Sequence, residues 1–185
     1  MIVVTGATGQ LGRLVIQNLL KTVPAAQIVA AVRSPQKAAD LAALGVQVRE
    51  ADYTKPATLA AAFAGADKLL LVSSSEIGQR AAQHRAAIDA ARAAGVKLVA
   101  YTSILRAPTS TLALAAEHVE TEAMLRASGL PHVLLRNGWY TENYTGSVPA
   151  ALAHGAVIGS AGAGPVPGAR QLLRGRFDPL ARLDL

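Results

Sequence analysis

Short apolar runs alternate with longer amphipathic stretches along most of this chain. The runs Ile2-Thr5, Gln27-Val32, Val46-Glu50, Lys68-Val72, Lys97-Thr102 and His132-Arg136 are rich in apolar and β-branched residues and are predicted to be strands. After the first of them, Leu11, Val15 and Leu19 recur at i, i+4 and i+8, the spacing of a single apolar stripe on a helix that faces a sheet. Ser34 as N-cap, Pro35 at the first helical position and Gly45 just past the end predict a second helix. A third begins near Thr54 and Pro56 and runs through Leu59 and Phe63 to Gly65. Later helices cover about Ile77-Ala94 and Ala115-Ser128, stopped by Gly95 and Gly129. Strands that are apolar throughout, rather than alternating, belong to a sheet covered on both faces. The six β/α alternations therefore predict an α/β fold, a doubly wound parallel sheet of about six strands. Such sheets bind ligands beyond the carboxyl ends of the strands, where the strand order reverses.

Composition narrows the chemistry. A length of 185 residues, 51% hydrophobic and 16% charged, fits one folded domain with a buried core. With no cysteine there are neither disulfides nor thiolate metal sites, so redox chemistry has to come from a cofactor, and a reducing cytosol is compatible. No basic leader precedes Ile2-Val3-Val4, and no run reaches the roughly 18 apolar residues of a membrane span, so a cytoplasmic protein is expected. The net charge of +6 raises the question of nucleic acid. Only Arg170, Arg174, Arg176 and Arg182 cluster, and a generally basic surface is the expectation. Four histidines and no paired carboxylates in a matching frame give metal-dependent hydrolysis no support.

The segment Thr5-Gly6-Ala7-Thr8-Gly9-Gln10-Leu11-Gly12 lies between the first strand and the first helix. In that setting Gly6 permits a tight turn, Gly9 lets backbone approach a pyrophosphate, and Gly12 allows close packing, while the helix amino terminus attracts phosphate charge. The alternative is a glycine turn that holds nothing. At the end of the second strand, where a site for NAD places an acid, this chain has Arg33, and no acidic residue occurs between Gly12 and Asp40. A guanidinium there can bind a 2′-phosphate, which favours NADPH; otherwise Arg33 is an ordinary surface charge.

These residues do not stand alone. The glycine segment, Val32-Arg33, Ala51-Asp52-Tyr53, Leu71-Val72-Ser73-Ser74-Ser75, Tyr101-Thr102-Ser103, Glu117-His118-Val119-Glu120-Thr121-Glu122 and Arg136-Asn137-Gly138-Trp139-Tyr140-Thr141-Glu142-Asn143-Tyr144 follow one another in a characteristic order and spacing. Together they resemble the NmrA-like, atypical branch of the short-chain dehydrogenase/reductase superfamily, and within it the type-2 NAD(P)H:quinone oxidoreductases of bacteria. The resemblance covers residues 1 to about 164. It implies a Rossmann-type fold, NADPH as cofactor and a small-molecule quinone as hydride acceptor. It also implies that Asp52 and Tyr53 flank the adenine, that Ser73, Ser74 and Ser75 let the cofactor ribose pass near the backbone, and that Asn137, Gly138, Trp139, Tyr140, Thr141 and Glu142 border the nicotinamide. The plainer alternatives are a polar turn, a serine-rich loop and a tryptophan packed under a loop.

The superfamily's Tyr-x-x-x-Lys motif is missing. Aligned on Thr121-Glu122, its tyrosine falls on Leu114 and its lysine on His118. Without a phenol acid, ketone reduction is disfavoured. A quinone that accepts hydride becomes a hydroquinone anion of phenolate-like basicity, about pKa 10, which water can protonate. Ser103 and His118 are the candidates for assisting; the catalytic group is otherwise unassigned. A non-catalytic NADP(H)-sensing regulator is the second reading the missing tyrosine permits. After Gly164 the resemblance stops, and residues 165–185 are expected to be a divergent, irregular tail. Relatives continue with a smaller lobe over the substrate side, so the chain is expected to be a truncated or frameshifted product that keeps the cofactor's anchors and turns over poorly.

Overall fold

Every one of the six predicted strands forms. In the computed structural model, which describes residues 1–154 and 168–169, they are β1 (Ile2–Thr5), β2 (Ile28–Val32), β3 (Gln47–Glu50), β4 (Lys68–Leu71), β5 (Leu98–Ile104) and β6 (His132–Asn137). They make one parallel sheet in the order β3-β2-β1-β4-β5-β6, the doubly wound arrangement of dinucleotide-binding folds. β1 sits between β2 and β4, with Ile2 opposite both Ile28 and Lys68, so the chain changes direction across the sheet at the end of β1.

The four inner strands, β2, β1, β4 and β5, are largely apolar because both their faces are covered, while the edge strands β3 and β6 also carry polar and charged residues. Val3, Val29, Leu69, Leu71, Val99 and Tyr101 pack on one side against α3 (Pro56–Phe63), α4 (Arg80–Ala93) and α5 (Ala115–Ala127), whose Leu59, Phe63, Ile88 and Leu125 are buried. On the other side Val4, Ile28, Ala30, Leu70 and Ala100 meet Val15, Ile16 and Leu19 of α1 (Gln10–Leu19) and Leu41 of α2 (Ala39–Ala43). Each buried Val, Leu, Ile or Phe side chain among these contributes on the order of 1.5–3 kcal/mol by leaving water.

Two expected helices are shorter than their sequence signals. Ser34 makes no side-chain cap, and Pro35–Ala38 form a 3₁₀ turn before α2 begins. Arg13 Nη2 donates to the Lys37 carbonyl at 2.8 Å, engaging the acceptor that a continuing α-helix would offer to residue 41. α4 starts at Arg80 because residues 76–79 make a turn, with the Glu76 carbonyl accepting from the Gln79 and Arg80 amides at 3.1 and 3.0 Å.

Beyond β6 come β7 (Trp139–Tyr140), α6 (Glu142–Thr145), α7 (Val148–His154) and β8 (Gly168–Ala169). β7 pairs with β8 in parallel, so two residues of the expected irregular tail are strand; the rest of the tail, and 155–164 before it, lie outside the described residues.

Charge ties the sheet at two places. The Met1 ammonium pairs with Asp67, which also accepts from Lys97 Nζ at 2.7 Å. Deeper in, Glu122 of α5 is 1% exposed and accepts from Ser103 of β5 (2.7 Å), from Arg136 Nε and Nη2 of β6 (2.9 and 2.6 Å) and from Arg126 (3.0 Å). The Arg136 hydrogen bonds, with those from Ser103 and Arg126, hold its carboxyl down to about 2 against the desolvation that would raise it.

Glu122→Gln removes the charge and leaves two arginines facing an amide. Breaking a fully buried pair costs about 3–5 kcal/mol, and because Arg136 and Arg126 keep contact with water the expected loss is about 2–3 kcal/mol. Urea unfolding of the two proteins at pH 7 measures it, and a change under about 0.5 kcal/mol would contradict this account of the α5–β5–β6 junction.

Candidate functional site

The loop between β1 and α1 is built by three glycines doing different things. Gly6 has φ +58°, the left-handed region, which turns the chain off the strand. The Gly9 amide donates to the Gly6 carbonyl at 2.9 Å, and a Cβ at Gly9 would lie 3.2 Å from that oxygen. At Gly12 a Cβ would come within 2.5 Å of the Gly6 oxygen and 2.7 Å of the Ala7 Cα, so α1 seats on the loop backbone itself rather than on a strand. Ala7 is fully buried beneath, and Gln10 and Leu11 open the helix. The amino end of α1 carries no side-chain cap and no acid in its first turn, leaving donors and the positive end of the helix dipole open. Arg13 Nε donates to the Thr8 carbonyl at 3.1 Å and its Nη1 pairs with Asp40, fixing the loop from outside.

Tyr53 braces the loop from below. Its hydroxyl lies 2.8 Å from Thr5 Oγ1 and 2.9 Å from the Val72 carbonyl oxygen, while the Val72 amide donates to Thr5 Oγ1 at 2.9 Å. Burial pushes the Tyr53 phenol well above its ordinary range. Asp52 accepts from the Thr54 amide and hydroxyl at 2.9 and 2.7 Å, which lowers its carboxyl. Asp52 thus closes the turn after β3, while Tyr53 ties that turn to the ends of β1 and β4.

Across β1 from Arg33, the loop after β4 carries Ser73, Ser74 and Ser75. The Ser73 amide donates to Thr102 Oγ1 at 2.8 Å, and the Ser74 amide to His84 Nε2 at 2.9 Å. Accepting at Nε2 puts the His84 proton on Nδ1, which lies 2.9 Å from Thr121 Oγ1; that hydroxyl in turn donates to the Glu117 carbonyl at 2.8 Å. Arg80, 5% exposed, donates through Nε to the Ser74 carbonyl at 2.6 Å and through Nη1 to Glu117 at 2.9 Å, and Glu117 also accepts from the Gly78 amide. Burial, with Arg80 and His118 adding, drives His84 down to about 3. His118 lies 2.6 Å from the Tyr101 hydroxyl and is brought to about 4 by burial and Arg80. Neither ring is charged at neutral pH.

Arg33 and Glu76 form an ion pair at 2.9 Å, and Glu76 accepts from Gln83 at 2.7 Å. Sequence alone does not single out Glu76, Gln83, Arg80 or His84, and it gives Glu117 no role beyond its place in a motif. Glu76 was the one that could have been found, because it is the acid immediately behind Ser73-Ser74-Ser75 and Arg33 needs a counter-charge.

The segment after β6 gathers separately. Asn137 Nδ2 donates to the Tyr140 hydroxyl at 3.0 Å, the Asn137 carbonyl accepts from the Leu105 amide at 2.8 Å, and Trp139 is half exposed. Gly138 separates β6 from β7, and Thr141 and Glu142 lead into α6. The ends of β1 and β6 are three strand spacings apart, about 14 Å, along the same carboxyl edge. Ser103 is buried with its hydroxyl donated to Glu122, and His118 is buried behind β5, so both point into the protein's own hydrogen bonds. Among the described residues no cluster of His, Cys, Asp and Glu suits a metal, and no helix is long and apolar enough to cross a membrane.

An open helix terminus over a glycine turn at the switch point defines a nucleotide-binding edge of the Rossmann type. Residues 6–163 match the NAD(P)H-binding family, and the chain belongs to it. Quinone oxidoreductase 2 of Escherichia coli is 63% identical over 169 residues, 91% of this chain and 59% of that protein. The crystal structure of the NADPH-dependent quinone oxidoreductase of Escherichia coli complexed with NADPH superposes with a TM-score of 0.88 at 62% identity, covering 93% of this chain and 61% of that one. An NmrA-like family domain-containing oxidoreductase of Aspergillus flavus is 33% identical over 148 residues, 76% of this chain and 48% of its own. The resemblance read from the motifs is borne out, and the chain spans about three fifths of the length of the quinone oxidoreductase it matches.

The buried histidines make stability depend on pH. Their folded pKa values lie below the unfolded value of about 6.5, so the unfolded chain takes up protons that the folded one refuses. Stability is full above about pH 6.5 and falls as pH drops toward 4, at up to about 1.4 kcal/mol per pH unit for each histidine. Urea midpoints at pH 7, 6 and 5 are expected to decline, with the slope roughly halved in His118→Asn; a flat profile would show that these rings titrate normally.

Proposed function

We propose that this chain binds NADPH along the carboxyl edge of its sheet and transfers hydride from it to a quinone. The observation that carries the reading is the uncapped amino terminus of α1, seated on Gly6 and Ala7 with Arg33 one strand away. That terminus suits a pyrophosphate, and Arg33 suits a 2′-phosphate. The residues present fit the cofactor: a side chain at Gly12 would push α1 off the turn and one at Gly9 would crowd the Gly6 carbonyl, so glycine keeps the helix end close and open, and no acid stands in the first helical turn.

When bound, NADPH supplies the hydride. Gly6, Ala7, Thr8, Gly9, Gln10, Leu11 and Gly12 hold phosphate, and the turn of Asp52 and Tyr53 and the loop of Ser73, Ser74 and Ser75 border the adenosine. The segment from Asn137 to Glu142, with the faces of Trp139 and Tyr140, borders the nicotinamide and the acceptor. Ser103, committed to a carboxylate, and His118, neutral and buried, are poorly placed to deliver a proton. A quinone suits such a site because its reduced anion takes a proton from water, and the chain's task is then orientation. The absence of cysteine accords with a reducing cytoplasm, where we place the protein.

Saturable, protein-dependent loss of NADPH absorbance on adding a benzoquinone tests the activity; NADPH binding without turnover would reject quinone reduction by this chain. Arg33→Ala is expected to weaken NADPH by about 1.5–3 kcal/mol and NADH little, measured by calorimetric titration. Equal losses for the two cofactors would remove Arg33 from 2′-phosphate recognition.

A further inference from the structure

β2 and β4 flank β1, so the ion pair between Arg33, which follows β2, and Glu76, in the loop after β4, bridges the carboxyl end of β1 where the glycine turn begins. Both partners are accessible, their side chains 71% and 44% exposed, yet Glu76 is not a free surface acid. Its second carboxylate oxygen takes the Gln83 amide at 2.7 Å. Gln83 is 5% exposed and leaves its own Oε1 without a partner among the described residues, an orientation that favours donation to Glu76 over satisfying the amide. The Glu76 amide donates to Ser74 Oγ at 3.2 Å, and the loop beneath is held by Arg80 and His84. One oxygen of Glu76 is thus anchored and the other is presented to Arg33.

We infer that Glu76 sets the cofactor preference of the site by competing with a 2′-phosphate for Arg33. The inference rests on the NADPH reading above. A phosphate that reaches this guanidinium either displaces Glu76 or settles beside a fixed like charge. A dinucleotide with a 2′-hydroxyl meets neither penalty. On a mobile side chain the carboxylate would swing away and the competition would vanish; Gln83 prevents that and is a positioning residue for the selector. Glu76 thereby weakens the phosphorylated cofactor selectively, keeping it exchangeable while leaving the non-phosphorylated one unaffected.

Glu76→Gln keeps the shape and removes the charge. Wild-type protein and this variant are titrated calorimetrically with NADPH, NADH, 2′,5′-ADP and 5′-AMP at low and high salt. The variant is expected to bind NADPH and 2′,5′-ADP about two- to fivefold more tightly, the upper range of an exposed ion pair, with NADH and 5′-AMP unchanged within about twofold. The gain shrinks at high salt, where charges are screened, and falls by more than half in an Arg33→Ala background. Gln83→Leu, which frees Glu76, gives a smaller gain in the same direction. Weaker NADPH binding by Glu76→Gln, or equal change for all four ligands, overturns the inference. Failure of the wild-type protein to bind either phosphorylated ligand overturns the dinucleotide reading with it, whereas wild-type binding that Glu76→Gln leaves unaltered overturns this inference alone.

Discussion

A hydrogen atom where other residues have a methyl or more allows α1 to sit directly on the backbone of Gly6 and Ala7. A Cβ at residue 12 would lie 2.5 Å from a carbonyl oxygen of that loop, closer than such atoms approach, so any side chain would lift the helix away. With the helix lifted, its free amides would no longer converge over the end of β1, and Val15, Ile16 and Leu19 would lose their register on the sheet. One contact therefore sets both the packing of that face and the direction in which the helix dipole points.

The opposite wall is held differently. The loop after β4 also turns at a glycine, Gly78 at φ +85°, but it is fixed by side chains reaching into it: Arg80 and His84 from α4, Glu117 from α5, Thr102 from β5. Burying a cation and an imidazole together is tolerable because Arg80 pairs with Glu117 and donates to the Ser74 carbonyl, and because His84 stays neutral. The two walls thus combine a backbone solution and a polar-network solution on neighbouring strands.

Much of this is legible in the residues themselves. Apolar runs located all six strands, and the spacing of Gly6, Gly9 and Gly12 located the turn, because local sterics and periodicity act over a few residues. The second helix was overestimated because Ser34, Pro35 and Gly45 are local signals, while the break after Ala38 coincides with Arg13 reaching from another helix. Residue types showed that Arg33 and Ser103 were candidates but not their partners. Glu76 lies 43 positions from Arg33, a separation closed by the sheet order, and Glu122 lies 19 from Ser103, a separation closed by the packing of α5 on β5. Tyr53 and Asp52 are legible as residues of a turn, but not Tyr53 as the tie between β1, β3 and β4.

The imidazole of His84 also offers a spectroscopic handle. Its Nδ1 proton is fully buried and directed at Thr121, so it exchanges slowly with solvent and gives a resolved downfield proton resonance, as a solvent-washed ring does not. Because Nε2 of the same ring accepts from the Ser74 amide, any rearrangement of the loop after β4 is transmitted to that resonance within one hydrogen bond. A nucleus in the interior thereby reports on the cleft without a label on its surface.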